Sequence, residues 1–434
     1  MTMADCWASS LAPTSSASSP RHPKSPIGAS SRVTDSQQGS VDRGVGVSET
    51  HATIDLDAYL HNIALLRSMA PAGSAFMAVV KADAYGHGLI GCARAAAEVG
   101  CEWLAVARVT EAMRLRAAGI TTPTLVLGPP VSSRLAEAIR ADVTFAAGSW
   151  SMVEALCAAA REAGQPARVH VKVDIGMRRY GFMPDELPTA LERLTNMNDL
   201  DIDGFFSHFS SADEPGAEPT GEQVSTFSAA VEVARNAGIN PRWVHLSNSA
   251  GIITGRTGPT NLVRAGAATY GLSPSPEVPC DPRFRPVMSI RSVVTRVSQA
   301  PAGVAVSYNA IYRTTNTETL ATVAIGYADG IPRPLANQGW FVIGGTPRPI
   351  RGRVCMDQTI VGDADGVSEG DQVVVVGPAA TGAMTFEDIG PMASTNNYEA
   401  ATRLTARVPR IYVRDGRAVA REDWLCDTPA QDNE

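Results

Sequence analysis

Between residues 76 and 264 short apolar runs, rich in β-branched side chains and bounded by Gly, Pro, Asn or Asp, alternate with longer Ala-rich stretches of helical periodicity. The runs are Phe76–Val80, Trp103–Ala107, Thr124–Leu127, Val143–Ala146, Val169–Asp174, Ile202–Phe209, Trp243–Leu246 and Leu262–Arg264. Between them the periodicity predicts helices over Leu89–Val99, Thr110–Ala118, Val131–Arg140, Met152–Ala163, Leu187–Leu194 and Thr226–Ala237. Eight strand-then-helix units in this order predict a (β/α)8 barrel, for which about 250 residues is usual. The competing doubly wound sheet would carry GxGxxG after its first strand, and the chain has none there.

Past Pro286 the texture changes to β-branched runs broken by Gly and Pro, with predicted strands at Ser289–Val297, Thr319–Ile325, Trp340–Ile343, Gln358–Gly362, Gln372–Val376 and Arg407–Val413. The expected organisation is therefore a barrel over residues 49–286 and a mainly β domain over 287–434. Residues 1–48, rich in Ser, Pro, Gly and Arg without periodicity, read as a disordered extension. They hold no apolar segment of a secretory signal, and Asp5, Asp35 and Asp42 argue against a transit peptide.

Net charge is −7 and basic residues do not cluster, which excludes nucleic acid and anionic membrane as expected partners. The seven cysteines are scattered and lack metal-ligand spacing, pointing to a reducing, cytoplasmic setting with neither disulfides nor a bound metal. One compositional bias changes the picture further. Of 37 basic residues only Lys24, Lys81 and Lys172 are lysines. An amine can lose its proton and condense with a carbonyl, whereas a guanidinium cannot. Lys81, at the end of an apolar strand and before a Gly-rich turn, is either such an amine or a strand-end lysine reaching solvent.

Barrel active sites lie at the C-terminal ends of the strands. Lys81 ends the first strand, Lys172 and Asp174 the fifth with Arg179 just beyond, and His208 the sixth. His245, Asn248 and Ser249 follow the seventh, and Arg264 ends the eighth before Gly266. The small residues in Ser247–Gly251 and Arg264–Ala267 allow main-chain amides to approach an anion. A lysine opposite such a loop suits a cofactor with an aldehyde at one end and a phosphate at the other, which describes pyridoxal 5'-phosphate.

Val80-Lys81-Ala82-Asp83-Ala84-Tyr85-Gly86-His87-Gly88 resembles the cofactor-lysine motif of the alanine racemase family, enzymes of pyridoxal-phosphate fold type III. The resemblance continues, in the family's order, through Lys172–Phe182, Ser207-His208-Phe209, His245–Gly251, Val263–Gly266, Val306–Asn309, Gly326–Gly330, Gly352–Gln358 and Val408-Pro409-Arg410. It implies a barrel followed by a β domain, and a homodimer whose sites borrow residues from the partner. It implies that Lys81 holds the cofactor and serves as one acid/base, and that Tyr308 serves on the opposite face from the partner chain. Arg264 would meet the ring nitrogen, with His208 stacking on the ring or bonding to Arg264. Tyr85, Asn248, Ser249, Gly266, Ala267 and Tyr398 would hold the cofactor, largely at its phosphate. Arg179, Met356 and Asp357 would receive the substrate carboxylate, and the lysine matching Lys172 is often carbamylated. The implied reaction is interconversion of L- and D-alanine, supplying peptidoglycan.

From the residues alone, His208 and His245 also read as satisfied core histidines, Met356 as packing, and Asp83 as structural. Arg178 stands where the family usually has glycine, so two adjacent arginines compete for one role; Arg179 keeps the seven-residue spacing from Lys172. A basic amino-acid decarboxylase of related fold would carry an acid at the ring nitrogen rather than Arg264. A broad-specificity racemase would normally carry a signal peptide. A non-catalytic cofactor-binding barrel would lack the β domain and Tyr308.

Overall fold

The structure, a computed structural model, describes residues 50–214, 216 and 219–425, so the N-terminal extension read from the sequence lies outside the described residues. The first strand, β1 (His51–Asp55), ends in Asp55, whose carboxylate accepts from Ala58 N at 2.8 Å and caps the helix Leu56–Met69. Eight strands follow: β2 (Ala75–Val79), β3 (Trp103–Val106), β4 (Thr124–Val126), β5 (Val143–Ala147), β6 (Ala167–Lys172), β7 (Leu200–Phe206), β8 (Trp243–His245) and β9 (Leu262–Ala265). From β2 to β8 successive strands pair in parallel, and β9 pairs in parallel with β2, which leaves β8 and β9 as the two ends of the series. Asn261 closes the ring: its N donates to Val244 O at 3.0 Å and its Oδ1 accepts from Val244 N at 2.8 Å.

All eight predicted barrel strands are present within a few residues of their expected ends. Parallel strands are buried on both faces and so read as unbroken apolar runs. Inside the ring, the first residues of four strands, Ala75, Trp103, Trp243 and Leu262, pack with Met77, Ala105 and Leu125. Apolar bulk thus fills the N-terminal half of the barrel and leaves the C-terminal mouth for polar groups. Two helices start elsewhere than expected. Val131–Arg140 is helical only from Leu135, because Pro129 and Pro130 bend the preceding loop and Ser132 Oγ turns it at Arg134 N. Thr226–Ala237 is the latter part of a longer helix, Pro219–Asn236, with proline at its start.

The remaining strands are β10 (Met288–Ala300), β11 (Ala305–Val306), β12 (Tyr312–Arg313), β13 (Glu318–Val323), β14 (Trp340–Ile343), β15 (Thr346–Pro349), β16 (Thr359–Val361), β17 (Gln372–Val376), β18 (Arg410–Arg414) and β19 (Arg417–Glu422). They form a nine-stranded sheet ordered β15-β14-β17-β10-β1-β18-β19, with β13 joining β10 to β16, beside the small β11–β12 hairpin. Every strand from β2 to β9 belongs to the barrel and every strand from β10 onward lies outside it, whereas β1 pairs antiparallel with β10 and parallel with β18. The described residues therefore begin on the sheet of the β domain, and β1 is tied to it ahead of the first barrel strand. Two short helices, Phe386–Met392 and Asn397–Thr402, interrupt the sheet's C-terminal part. Among the described residues no helix is long and apolar enough to cross a membrane.

Candidate active site

Lys81 follows β2 directly, where Val80 N still pairs with Ala105 O at 2.8 Å. The next four residues, Ala82, Asp83, Ala84 and Tyr85, all have φ between 53° and 55°. Left-handed backbone costs an L-residue roughly 1–2 kcal/mol, so the run stores roughly 4–8 kcal/mol that neighbours must offset. His87, wholly buried, places Nδ1 at 3.1 Å from Ala84 O and 3.0 Å from Tyr85 O, and Asp83 Oδ1 accepts from Leu89 N at 2.8 Å. Burial, with the guanidinium charges of Arg179 and Arg264, lowers the proton affinity of the Lys81 amine, against the pull of Glu111. An amine so placed gives up its proton more readily than one in water.

Arg264, on β9, is 3% exposed. Its Nη1 donates to His245 Nδ1 at 2.9 Å, and its Nη2 donates to His208 Nδ1 at 3.0 Å, Ser207 O at 2.8 Å and Leu246 O at 2.9 Å. Burial lowers its pKa to about 10, which still leaves it charged near neutral pH. Burial and this charge hold His208 and His245 well below the usual histidine range, so both are neutral. A guanidinium only donates, so His245 carries its proton on Nε2 and passes the hydrogen bond to His170 Nδ1 at 2.8 Å. The His170 ring lies 5.0 Å from that of Trp103, and Gly204 makes room for it, since a Cβ there would stand 2.4 Å from the imidazole. His170 was not singled out in the sequence. The available signal is its spacing two before Lys172 on one strand, which puts both on the same face.

The loop after β9 and the helix Ser249–Ile253 meet at Ser249 Oγ, which accepts from Gly266 N at 3.0 Å and Ala268 N at 3.3 Å. Asn248 caps that helix through Gly251 N at 2.9 Å. A Cβ at Gly266 would stand 2.5 Å from the Tyr85 hydroxyl, so the two are in close contact. The Tyr85 ring lies 5.1 Å from Tyr270 and 6.5 Å from Tyr398, whose hydroxyl donates to Pro274 O. Burial pushes the Tyr85 hydroxyl up to about 12. Gly266 and Ala267 open the short 3-10 turn that follows.

Arg179 is exposed beside this cluster, and its charge is felt by Lys81, Lys172, His208 and Arg264. Arg178 has φ 56° and turns its Nη1 to Met183 Sδ at 3.6 Å. Lys172 is buried, donates to Tyr180 O and sits 4.4 Å over the Tyr180 ring, and burial lowers its pKa to about 8. The barrel mouth thus gathers Lys81, Tyr85, Lys172, Arg179, His208, Asn248, Ser249, Arg264, Gly266 and Ala267, with Tyr398 reaching it from the β domain.

Tyr308, Met356 and Asp357 lie elsewhere. They line a groove of about 610 Å³ with Ser307, Cys355 and Gln358, all from the β domain. Tyr308 is 66% exposed and Met356 52%, and left-handed backbone at Ser307, Asn309 and Ala310 thrusts Tyr308 outward from the β11–β12 hairpin. The Asp357 carboxylate pairs with Arg407 at 2.9 Å, and Arg407 also holds Asp329 at 2.9 Å. Among the described residues no cluster of three His, Cys, Asp or Glu is arranged to hold a metal ion.

Comparison with known proteins converges on one family. The alanine racemase N-terminal domain matches residues 54–274 and the C-terminal domain residues 287–412. An alanine racemase of Frankia casuarinae is 43% identical over 370 residues, covering 83% of this chain and 96% of that protein. The crystal structure of alanine racemase from D-cycloserine-producing Streptomyces lavendulae superposes with a TM-score of 0.81 at 39% identity, covering 84% of this chain and 97% of the other. That from Bartonella henselae, with covalently bound pyridoxal phosphate, gives 0.75 at 28% identity, covering 84% and 99%. With both domains matched and such identity sustained over more than four-fifths of its length, the chain belongs to the alanine racemase family.

Proposed function

We propose that this chain interconverts L- and D-alanine with pyridoxal 5'-phosphate, as a homodimer whose sites are each completed by the other subunit. The observation that carries the reading is the convergence of a half-buried amine of lowered proton affinity, a buried guanidinium and a hydroxyl-lined glycine loop at one barrel mouth. The residues fit the cofactor. Gly266 leaves clearance that any side chain would remove, and the Tyr85 hydroxyl stands beside it; a phosphate there would meet that hydroxyl, the Ser249 hydroxyl and the Gly266 and Ala268 amides that now donate to Ser249 Oγ. Lys81 would hold the aldehyde end, Arg264 the ring nitrogen, and Tyr398 would support Tyr85.

When bound, pyridoxal phosphate supplies an electron-accepting ring that acidifies the substrate Cα. The chain's residues set how that capacity is used. Arg264, charged and fixed by two neutral histidines and two carbonyls, has no proton to give readily to a ring nitrogen, which restrains electron withdrawal and discourages side reactions. Racemisation needs a proton removed from one face of Cα and one returned to the other. The Lys81 Nζ, with its lowered proton affinity, serves one face, and the partner's Tyr308 serves the other. A phenol with a reference pKa of about 10 needs a cation beside it to act as a base, and in this reading Arg179 would supply that charge while orienting the substrate carboxylate. The Asp357 carboxylate is committed to Arg407, which leaves the main chain around Met356 and Asp357 to meet the substrate. The exposure of Tyr308 and Met356 supports a site completed between subunits, since large apolar surface in a cluster marks an interface. In this reading a carbamate on Lys172 would present an anion to Arg179, and its lowered pKa favours the free amine such a modification needs. The D-alanine would be made in the cytoplasm for peptidoglycan. The test is visible absorbance of the purified protein together with D-alanine formation from L-alanine; Lys81→Arg is expected to abolish both, and colour retained in that variant would refute the anchor.

A further inference from the structure

The turn that carries Lys81 is gripped at its two ends by groups to which the reaction gives no part. At its start, Ala82 N donates to Glu111 Oε1 at 2.7 Å. The other oxygen of Glu111 accepts from Ala107 N at 2.7 Å and Arg108 N at 2.9 Å, so one carboxylate ties the loop after β3 to the loop after β2. At its finish, Gly86 O accepts from Arg410 Nη2 at 3.1 Å and Nε at 3.2 Å. Arg410, 3% exposed on β18, also donates to Leu404 O at 2.9 Å, Thr405 O at 2.6 Å and Val408 O at 2.7 Å, and lies 3.7 Å from the Asp83 carboxylate. A buried guanidinium of the β domain thus joins its own loop to the lysine turn of the barrel. Between these grips lie the four left-handed residues, which would relax toward ordinary backbone if released. Relaxation would swing Lys81 and Tyr85 apart, because residues four apart share a side only while the turn is wound.

We propose that Glu111 and Arg410 are positioning residues for the cofactor lysine, holding the strained turn Ala82–Tyr85 so that Lys81 and Tyr85 address one cofactor, and coupling that aim to the seating of the β domain on the barrel. The inference rests on the pyridoxal phosphate reading above. To test it, the parent chain, Glu111→Gln and Arg410→Lys are stripped of cofactor and titrated with pyridoxal phosphate, following visible absorbance, with circular dichroism and urea midpoints recorded alongside. Each variant is expected to keep its fold and to bind cofactor about tenfold more weakly or worse, a change of roughly 1.4 kcal/mol. Adding Ala82→Gly to Glu111→Gln is expected to recover at least about threefold, because glycine adopts positive φ without penalty. A Glu111 that merely capped the helix Val109–Ala117 would give no such recovery, and that result overturns the proposal. So does uptake by Glu111→Gln equal to the parent's. Glu111→Gln keeps size and shape, and it decides the matter even where Arg410→Lys loses the fold. A parent that takes up no pyridoxal phosphate overturns the cofactor reading, and this inference with it.

Discussion

At the scale of single residues, the reach of charge and the contacts made sort the two adjacent arginines, both of them exposed. The charge of Arg179 reaches Lys81, Lys172, His208 and Arg264, whereas Arg178 spends its guanidinium on Met183. A cation near an amine or phenol shifts its proton equilibrium, and the same cation can receive a carboxylate. Arg179→Ala is therefore expected to lower kcat/KM for alanine by about a hundredfold or more, roughly 2.7 kcal/mol of transition-state stabilisation. Arg178→Ala is expected to stay within about threefold of the parent. Steady-state kinetics on both variants checks the ordering, and a reversed order would move the substrate role to Arg178.

At the scale of elements, the turn Lys81–Gly88 depends on one neutral imidazole. His87 stacks 4.6 Å from the ring of Tyr270, and burial lowers its pKa from 6.5 to about 4. Between those values the unfolded chain binds a proton that the folded chain refuses, so stability rises with pH across the window. The contribution is complete above about 6.5 and is lost as the medium is acidified toward 4, amounting to roughly 3 kcal/mol. The urea midpoint is expected to fall between pH 7 and pH 4.5, these values being ~2.5 units apart and spanning most of that window. His87→Asn keeps a donor where Nδ1 stands and removes the titration, so its midpoint should start lower, through the cavity left, but fall less steeply with acid. A slope unchanged by the substitution would place the acid sensitivity in other groups.

At the scale of the molecule, the two groups proposed to exchange protons with the substrate lie on different surfaces of one chain. Lys81 stands at the barrel mouth, while Tyr308 projects from a β-domain groove lined by no barrel residue. Mixing Lys81→Ala chains with Tyr308→Phe chains is expected to restore activity: in each heterodimer one site keeps both groups and the other loses both. Turnover near half that of the parent per heterodimer is the expected result after refolding or co-expression. A verified heterodimer with no turnover would mean that each site is contained in one chain.

What the sequence determined follows from its local physics. Strands largely buried on both faces are rich in apolar residues, so the eight barrel runs stand out despite the polar groups they carry, and the scarcity of lysine singles out Lys81 and Lys172. Motif blocks carried the family and named the residues that gather at the barrel mouth. Glu111 stayed hidden because it completes only half of a capping box, with arginine rather than Ser or Thr three residues before it. The left-handed run Ala82–Tyr85 contains no glycine to announce it. Arg410 lay in a recognised block, but its partner Gly86 is 324 residues away. The pairing of β1 with β10 and β18 was equally out of reach, since a five-residue strand carries no record of which distant edge completes it. Local pattern thus set the elements and the kinds of chemistry present; tertiary structure alone decided which buried charges meet which carbonyls, because hydrogen-bond partners far apart in sequence are chosen by packing and not by periodicity.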